Sequence, residues 1–156
     1  MTDKIVKLSL DERTIVRRSP EIEHERSVAL FDLLEENHFA PHGLSYAGPY
    51  DVQLSLTENR LIFSIRDEAE KLQGEIILPL SPFRRIVRDY FLICESYYEA
   101  IKTAVPAQIE AIDMGRRALH DEGSQLLREL LEAKITIDFP TSRRLFTLLC
   151  VLHIRG

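Results

Sequence analysis

Asp113, Arg116, Arg117 and His120 stand in the run DMGRRALH at offsets of 0, 3, 4 and 7. That spacing puts all four on one face of a helix. An aspartate and a histidine on one stripe are the residue types that pass protons, and two arginines beside them suit an anionic substrate or partner surface. Gly115, in the same run, permits close backbone approach. The plainer meaning of such a stripe is a solvated ion-pair face. A second set of cations is Arg84, Arg85 and Arg88, with Arg143 and Arg144, each group placed in the first turns of a predicted helix. Cations there oppose the helix dipole, at about 0.3–1 kcal/mol each. Free N–H groups together with guanidinium forks also make a phosphate or carboxylate site. If the two helix starts adjoin, five guanidinium groups converge on one patch, and the Asp113–His120 stripe can line the same cleft. The competing expectation is internal pairing, for example Arg85 with Asp89 at i,i+4.

Other chemistries lack a pattern. His24 lies among Glu21, Glu23 and Glu25, and His38 and His42 straddle Pro41, but no HExxH, Cys/His cluster or DxDxDG loop is present, so no metal is expected. There is no GxSxG, and neither Cys94 nor Cys150 has an activating neighbour in sequence. No GxGxxG or GxxxxGK loop occurs, so no nucleotide cofactor is expected, nor any other cofactor.

The elements that must position these residues belong to a chain of 156 residues with net charge −5. That length suits one domain, 1–156, burying roughly 70% of its unfolded surface. The negative balance argues against a nucleic-acid partner. Arginine outnumbers lysine 15 to 5, which fits either anion recognition or the codon usage of a GC-rich genome. Two cysteines at apolar helical positions read as buried reduced thiols of a cytoplasmic protein. The start, MTDKIVKLSL, carries no signal-peptide run, and the longest apolar run, Leu145 to Ile154, is about half a membrane span. No membrane association is expected.

Lys4 to Leu10 alternates, with Val6, Leu8 and Leu10 on one side, and predicts a strand. Residues 11–18 read as a polar connection. Ser19-Pro20 predicts a helix start, and Ile22, Ala29, Leu30, Leu33 and Leu34 its buried stripe, ending near Asn37. Residues 38–49, with two prolines and two glycines, predict a long loop. Tyr50–Leu56, Leu61–Arg66 and Leu72–Leu80 alternate, with short connections, and predict an antiparallel meander. Ser81-Pro82 predicts the cap of a central core helix running to Ala104, with Phe91 and Cys94 against the sheet. Residues 106–133 keep nearly one helical phase, as either one long helix or two broken around Asp121-Glu122-Gly123, the break being favoured because glycine is a poor helix interior residue. Ile135, Ile137 and Phe139 suggest a fifth strand, and Thr141 or Ser142 the cap of a last, largely buried helix. The expected fold is a single α+β domain: a four-stranded, mainly antiparallel sheet, one helix in the N-terminal half, and a helical C-terminal half packed on one face. Tyr90, Phe91, Tyr97 and Tyr98 exceed what one stripe can hold, so their surface meets either the last helix or a second copy, as a homodimer.

The phrases HERSVALFDLLEENHFAP, NRLIFSIRDE, LSPFRRIVRDYFLICESYYEAI, QIEAIDMGRRALHDEG and RRLFTLLCVLH together resemble a family of small uncharacterised proteins of alphaproteobacteria. The resemblance covers nearly the whole chain. It implies a bacterial cytoplasmic protein and brings no activity, cofactor or site residue. Two function classes follow from the residues alone. One is a non-enzymatic regulatory or adaptor protein binding an acidic partner through the arginine patch. The other is a small enzyme or ligand-binding protein acting on a phosphorylated or carboxylated molecule.

Overall fold

Four alternating segments build the main sheet of the computed structural model, which describes residues 2–12 and 19–153. The connection read over 11–18 lies, from residue 13 on, outside the described residues. Strands β1 (Ile5–Leu10), β3 (Tyr50–Thr57), β4 (Arg60–Arg66) and β5 (Leu72–Pro79) form a sheet in the order β1-β3-β4-β5. The β3-β4-β5 meander is antiparallel as the short connections require. β1 instead runs parallel to β3, because the chain returns through helix α1 (Pro20–Glu35). The sheet is therefore mixed. Val52, Leu54, Leu61, Phe63 and Ile65 point to its buried face.

β1 departs from simple alternation. A bulge between Ile5 and Lys7 inserts one residue, so Ile5 and Leu8 both face inward while Val6 is 42% exposed. The Asn37 side chain completes the edge there. Its Oδ1 accepts from the Ile5 N–H at 2.8 Å and its Nδ2 donates to the Ile5 carbonyl at 2.9 Å. The predicted loop at 38–49 is likewise corrected. Phe39–Pro41 is a strand, β2, pairing antiparallel with β6 (Ile135–Ile137) in a second, two-stranded sheet. The fifth strand expected from Ile135 thus joins β2 rather than the main sheet.

Ser19 caps α1 as its spacing predicts, its Oγ accepting from the Ile22 N–H at 3.2 Å. Ala29 and Leu33 are buried, whereas Leu34 is 42% exposed. Ser81 is not a side-chain cap. Ser81–Phe83 forms a 3-10 turn that leads into α2 (Arg84–Thr103). α3 (Pro106–Leu131) is unbroken through Gly123. The glycine is there for packing: a Cβ at 123 would fall inside the ring of Phe146 on α4 (Phe139–His153). α4 starts earlier than predicted, with Asp138 Oδ1 accepting from the Thr141 N–H at 2.9 Å. Thr141 and Ser142 are buried instead of capping, and Ser142 Oγ donates to the Ser124 carbonyl of α3 at 2.6 Å. Small residues at the crossing let α3 and α4 approach closely.

α4 is the most enclosed helix, with Leu145, Phe146 and the run Leu148–Leu152 buried. It lies with α1 on the inner face of the sheet, and α2 and α3 pack as an antiparallel pair beyond it. The central position expected for α2 belongs to α4. Phe91 is accordingly half-buried rather than a core residue, and its truncation falls below the about 3–5 kcal/mol of a fully buried phenylalanine. Tyr90 is buried and meets α4 at the Phe146 ring, 6.2 Å between centroids.

Cys94 and Cys150 are free and buried. Burial pushes the Cys94 thiol up to about 11 and the Cys150 thiol well above its ordinary value. Native protein at pH 8 should therefore react slowly with Ellman's reagent at both positions, at a rate that rises only with urea-induced opening. Fast native labelling of Cys150 would contradict the enclosure of α4.

Candidate functional site

Side chains of α1, α3 and α4 line a cleft of about 640 Å³. α1 contributes His24, Glu25, Val28, Ala29 and Asp32; α3 contributes Arg116, Arg117 and His120; α4 contributes Phe139, Pro140, Arg143, Arg144 and Thr147, with Tyr90 of α2 at the base. The structure thus brings most of the Asp113–His120 stripe together with the arginines of the last helix. It does not bring in the other arginine group. Arg84, Arg85 and Arg88 are exposed and lie outside the cleft. Arg85 bonds Asp89 at 3.5 Å and Glu122 at 3.2 Å, and Arg88 bonds Asp89 at 3.3 Å. The five-arginine patch expected from the two helix starts is therefore divided, and such exposed pairs contribute about 0–1 kcal/mol.

Asp113 organises the α3 arginines. Its Oδ1 accepts from Arg116 Nη2 at 2.6 Å and from Nε at 3.1 Å, and its Oδ2 lies 2.9 Å from Arg117 Nη2. The hydrogen bond from Arg116 holds the Asp113 carboxyl below its usual range. Arg116 also stacks over the Tyr97 ring at 4.6 Å and stands 3.9 Å from Glu25. Burial pushes the Glu25 carboxyl up, opposed by the Tyr98 hydroxyl that donates to it at 3.0 Å and by Arg116. Arg143 pairs loosely with Asp121 at 3.7 Å.

His120 is a packing residue here. Its ring meets Tyr90 and Phe146 at centroid distances of 5.4 and 5.2 Å. His120 Nε2 lies 2.7 Å from Thr147 Oγ1, a hydroxyl that also donates to the Arg143 carbonyl at 3.2 Å. Nδ1 lies 3.4 Å from Ser124 Oγ, which likewise donates to a main-chain carbonyl, that of His120, at 2.7 Å. Burial, aided by Arg143, lowers the imidazole to about 4, so it is neutral near pH 7. Both ring nitrogens are thus engaged by hydroxyls of the protein itself.

Arg144 differs from the other cleft arginines. Its Nη1 donates to the Pro140 carbonyl at 2.9 Å, its Nε is buried with no hydrogen-bond partner, and it has no carboxylate partner among the described residues. A charged donor left without an acceptor costs about 1–3 kcal/mol or more. Glu25 lines the cleft, and Tyr97 and Tyr98 support it by holding Arg116 and Glu25; in sequence Glu25 stands out only beside His24, and the two tyrosines only as excess apolar surface. Glu25 was visible in principle, since Ile22, Glu25, Ala29 and Leu33 share one helical stripe. Among the described residues no group of three or more His, Cys, Asp or Glu is placed to hold a metal ion, and no helix is long and apolar enough to cross a membrane.

Residues 2–155 match the model described as Uncharacterised protein family (UPF0262). A UPF0262 protein of Rhodospirillum rubrum is 59% identical over 155 residues, covering 99% of this chain and 95% of its own. A UPF0262 protein of Paramagnetospirillum magneticum is 60% identical over 153 residues, covering 98% and 97%. One from Brucella anthropi is 60% identical over 153 residues, covering 98% and 95%. No solved structure matches the chain.

Proposed function

This chain belongs to the uncharacterised protein family UPF0262 of alphaproteobacteria, to which no function is assigned, and on that premise we propose that it is a non-catalytic binding protein that takes up an anionic group in the α1–α3–α4 cleft. The observation that carries this reading is Arg144. Its buried Nε lacks an acceptor in a cleft it shares with Arg117 and Arg143. A phosphate or carboxylate of an acidic partner, or of a small ligand, would satisfy that donor and gain a charge-assisted contact. Glu25 and Asp32 on the opposite wall limit the net positive charge, which favours a single anionic group over a polyanion such as nucleic acid. The adaptor reading is preferred to the enzyme reading because both ring nitrogens of His120 are engaged by Thr147 and Ser124 and its ring is packed between Tyr90 and Phe146. A cytoplasmic location suits the two free thiols.

Thermal unfolding with citrate or inorganic phosphate, against chloride at matched ionic strength, tests the reading. A ligand at about 100 times its Kd stabilises by about 2.7 kcal/mol. Both anions also stabilise proteins generally, so the decisive quantity is the difference between variants. The wild type should gain more than Arg144→Leu, and Arg85→Ala should behave as wild type. An equal gain in wild type and Arg144→Leu would refute an Arg144-centred site.

A further inference from the structure

A second cavity, of about 650 Å³, runs between the start of α1 and the last half of α2. Its floor is apolar: Ile22, Phe91, Cys94 and Tyr98. Its walls carry carboxylates in two rails, Glu21 and Glu25 at i,i+4 on α1, and Glu95 and Glu99 at i,i+4 on α2. Each rail repeats about every 6 Å, the rise of four helical residues. We propose that this groove binds a basic amphipathic helix of a protein partner, its apolar stripe on the floor and its Lys or Arg flanks between the two acidic rails.

Three observations support that occupant. Of the four carboxylates, Glu25 is met by Arg116 at 3.9 Å and Glu99 by Lys102 at 3.8 Å, while Glu21 and Glu95 remain beside the apolar floor, with His153 at the groove's edge. Glu21 and Glu95 have no cationic partner among the described residues, and Glu21 alone has a local reason, the positive start of α1. Glu99 lies next to the last turn of α2, where the helix dipole disfavours acids. Its placement weakens its own helix and suits an incoming cation. An apolar floor with like-charged rails is the surface that helix-in-groove recognition uses, with anchors at i, i+3, i+4 and i+7. Acidic rails also repel the anionic surface of a membrane.

The test is fluorescence anisotropy with a labelled synthetic helix of Leu and Lys in that pattern. A Leu/Glu peptide of the same pattern serves as its control. The Leu/Lys peptide should bind saturably. Glu95→Lys with Glu99→Lys should weaken it about tenfold or more, as loss of charge complementarity at a docking surface does. Glu68→Lys with Glu110→Lys makes the same change of net charge at exposed residues outside the groove and should leave binding intact. Circular dichroism confirms that each variant is folded. Equal losses in both double variants would reduce the effect to bulk charge and overturn the proposal. So would equal binding of the Leu/Glu peptide, or no binding of Leu/Lys. None of these outcomes involves Arg144, so the anion cleft stands or falls separately.

Discussion

Phe146→Ala should lower the unfolding free energy by about 3–5 kcal/mol. The ring is fully buried, lies edge-on to Tyr90 and His120, and meets Phe83 at 6.5 Å between centroids. It also fills the space over Gly123, so the pair should be coupled. In an ordinary helix interior Gly→Ala gains about 1 kcal/mol. Here Gly123→Ala should destabilise, and Phe146→Leu should recover part of the loss. Urea unfolding of the two single variants and the double variant gives the coupling energy. Simple additivity, or a stabilising Gly123→Ala, would show that α3 and α4 do not cross as described.

Acid should destabilise the fold through His120. In the unfolded chain its imidazole titrates at the ordinary 6.5, whereas in the folded chain it is held down to about 4. The sign follows directly: below 6.5 the unfolded chain takes up a proton that the folded chain refuses, so stability falls as pH drops from about 6.5 to about 4. The full gap corresponds to about 3 kcal/mol. Glu25 acts with the opposite sign, since its raised carboxyl takes up a proton more readily in the fold. The two must be separated by comparing variants. His120→Gln keeps a donor toward Thr147 and cannot be protonated in this range. Its stability should be nearly flat where the wild type declines. Parallel pH profiles for the two proteins would mean that another group carries the transition.

What was legible in sequence was what a helix or strand decides by itself. The Ser19-Pro20 start, the β3-β4-β5 meander and the shared helical stripe of Asp113, Arg116, Arg117 and His120 depend on local spacing, and the structure keeps them, with Asp113 pairing both arginines and the other three lining the cleft. What was hidden depends on a partner remote in the chain. Gly123 reads as a helix breaker until Phe146 is placed over it. Phe39–Pro41 is too short to announce a strand, and its partner Ile135–Ile137 lies far along the chain. The β1 bulge is defined only by its register against Tyr50 and Asp51. In the site, the pairing of Arg116 and Arg117 with Asp113 was foreseeable from i,i+3 and i,i+4 spacing. The distinction of Arg144 from Arg143 was not, because adjacent residues of one type differ only in what α1 and α3 leave beside them.

The claim at the centre of this account is that the Arg144 Nε–H receives an anion. Nitrogen-15 NMR of arginine Nε–H groups, titrated with citrate or inorganic phosphate at constant ionic strength, observes that atom directly. Assignment comes from the peak missing in Arg144→Lys. The Arg144 resonance should shift saturably at millimolar anion, while Arg84 and Arg85 stay in place. An Arg144 signal that does not move, or that moves no more than those of the exposed arginines, would contradict the anion cleft.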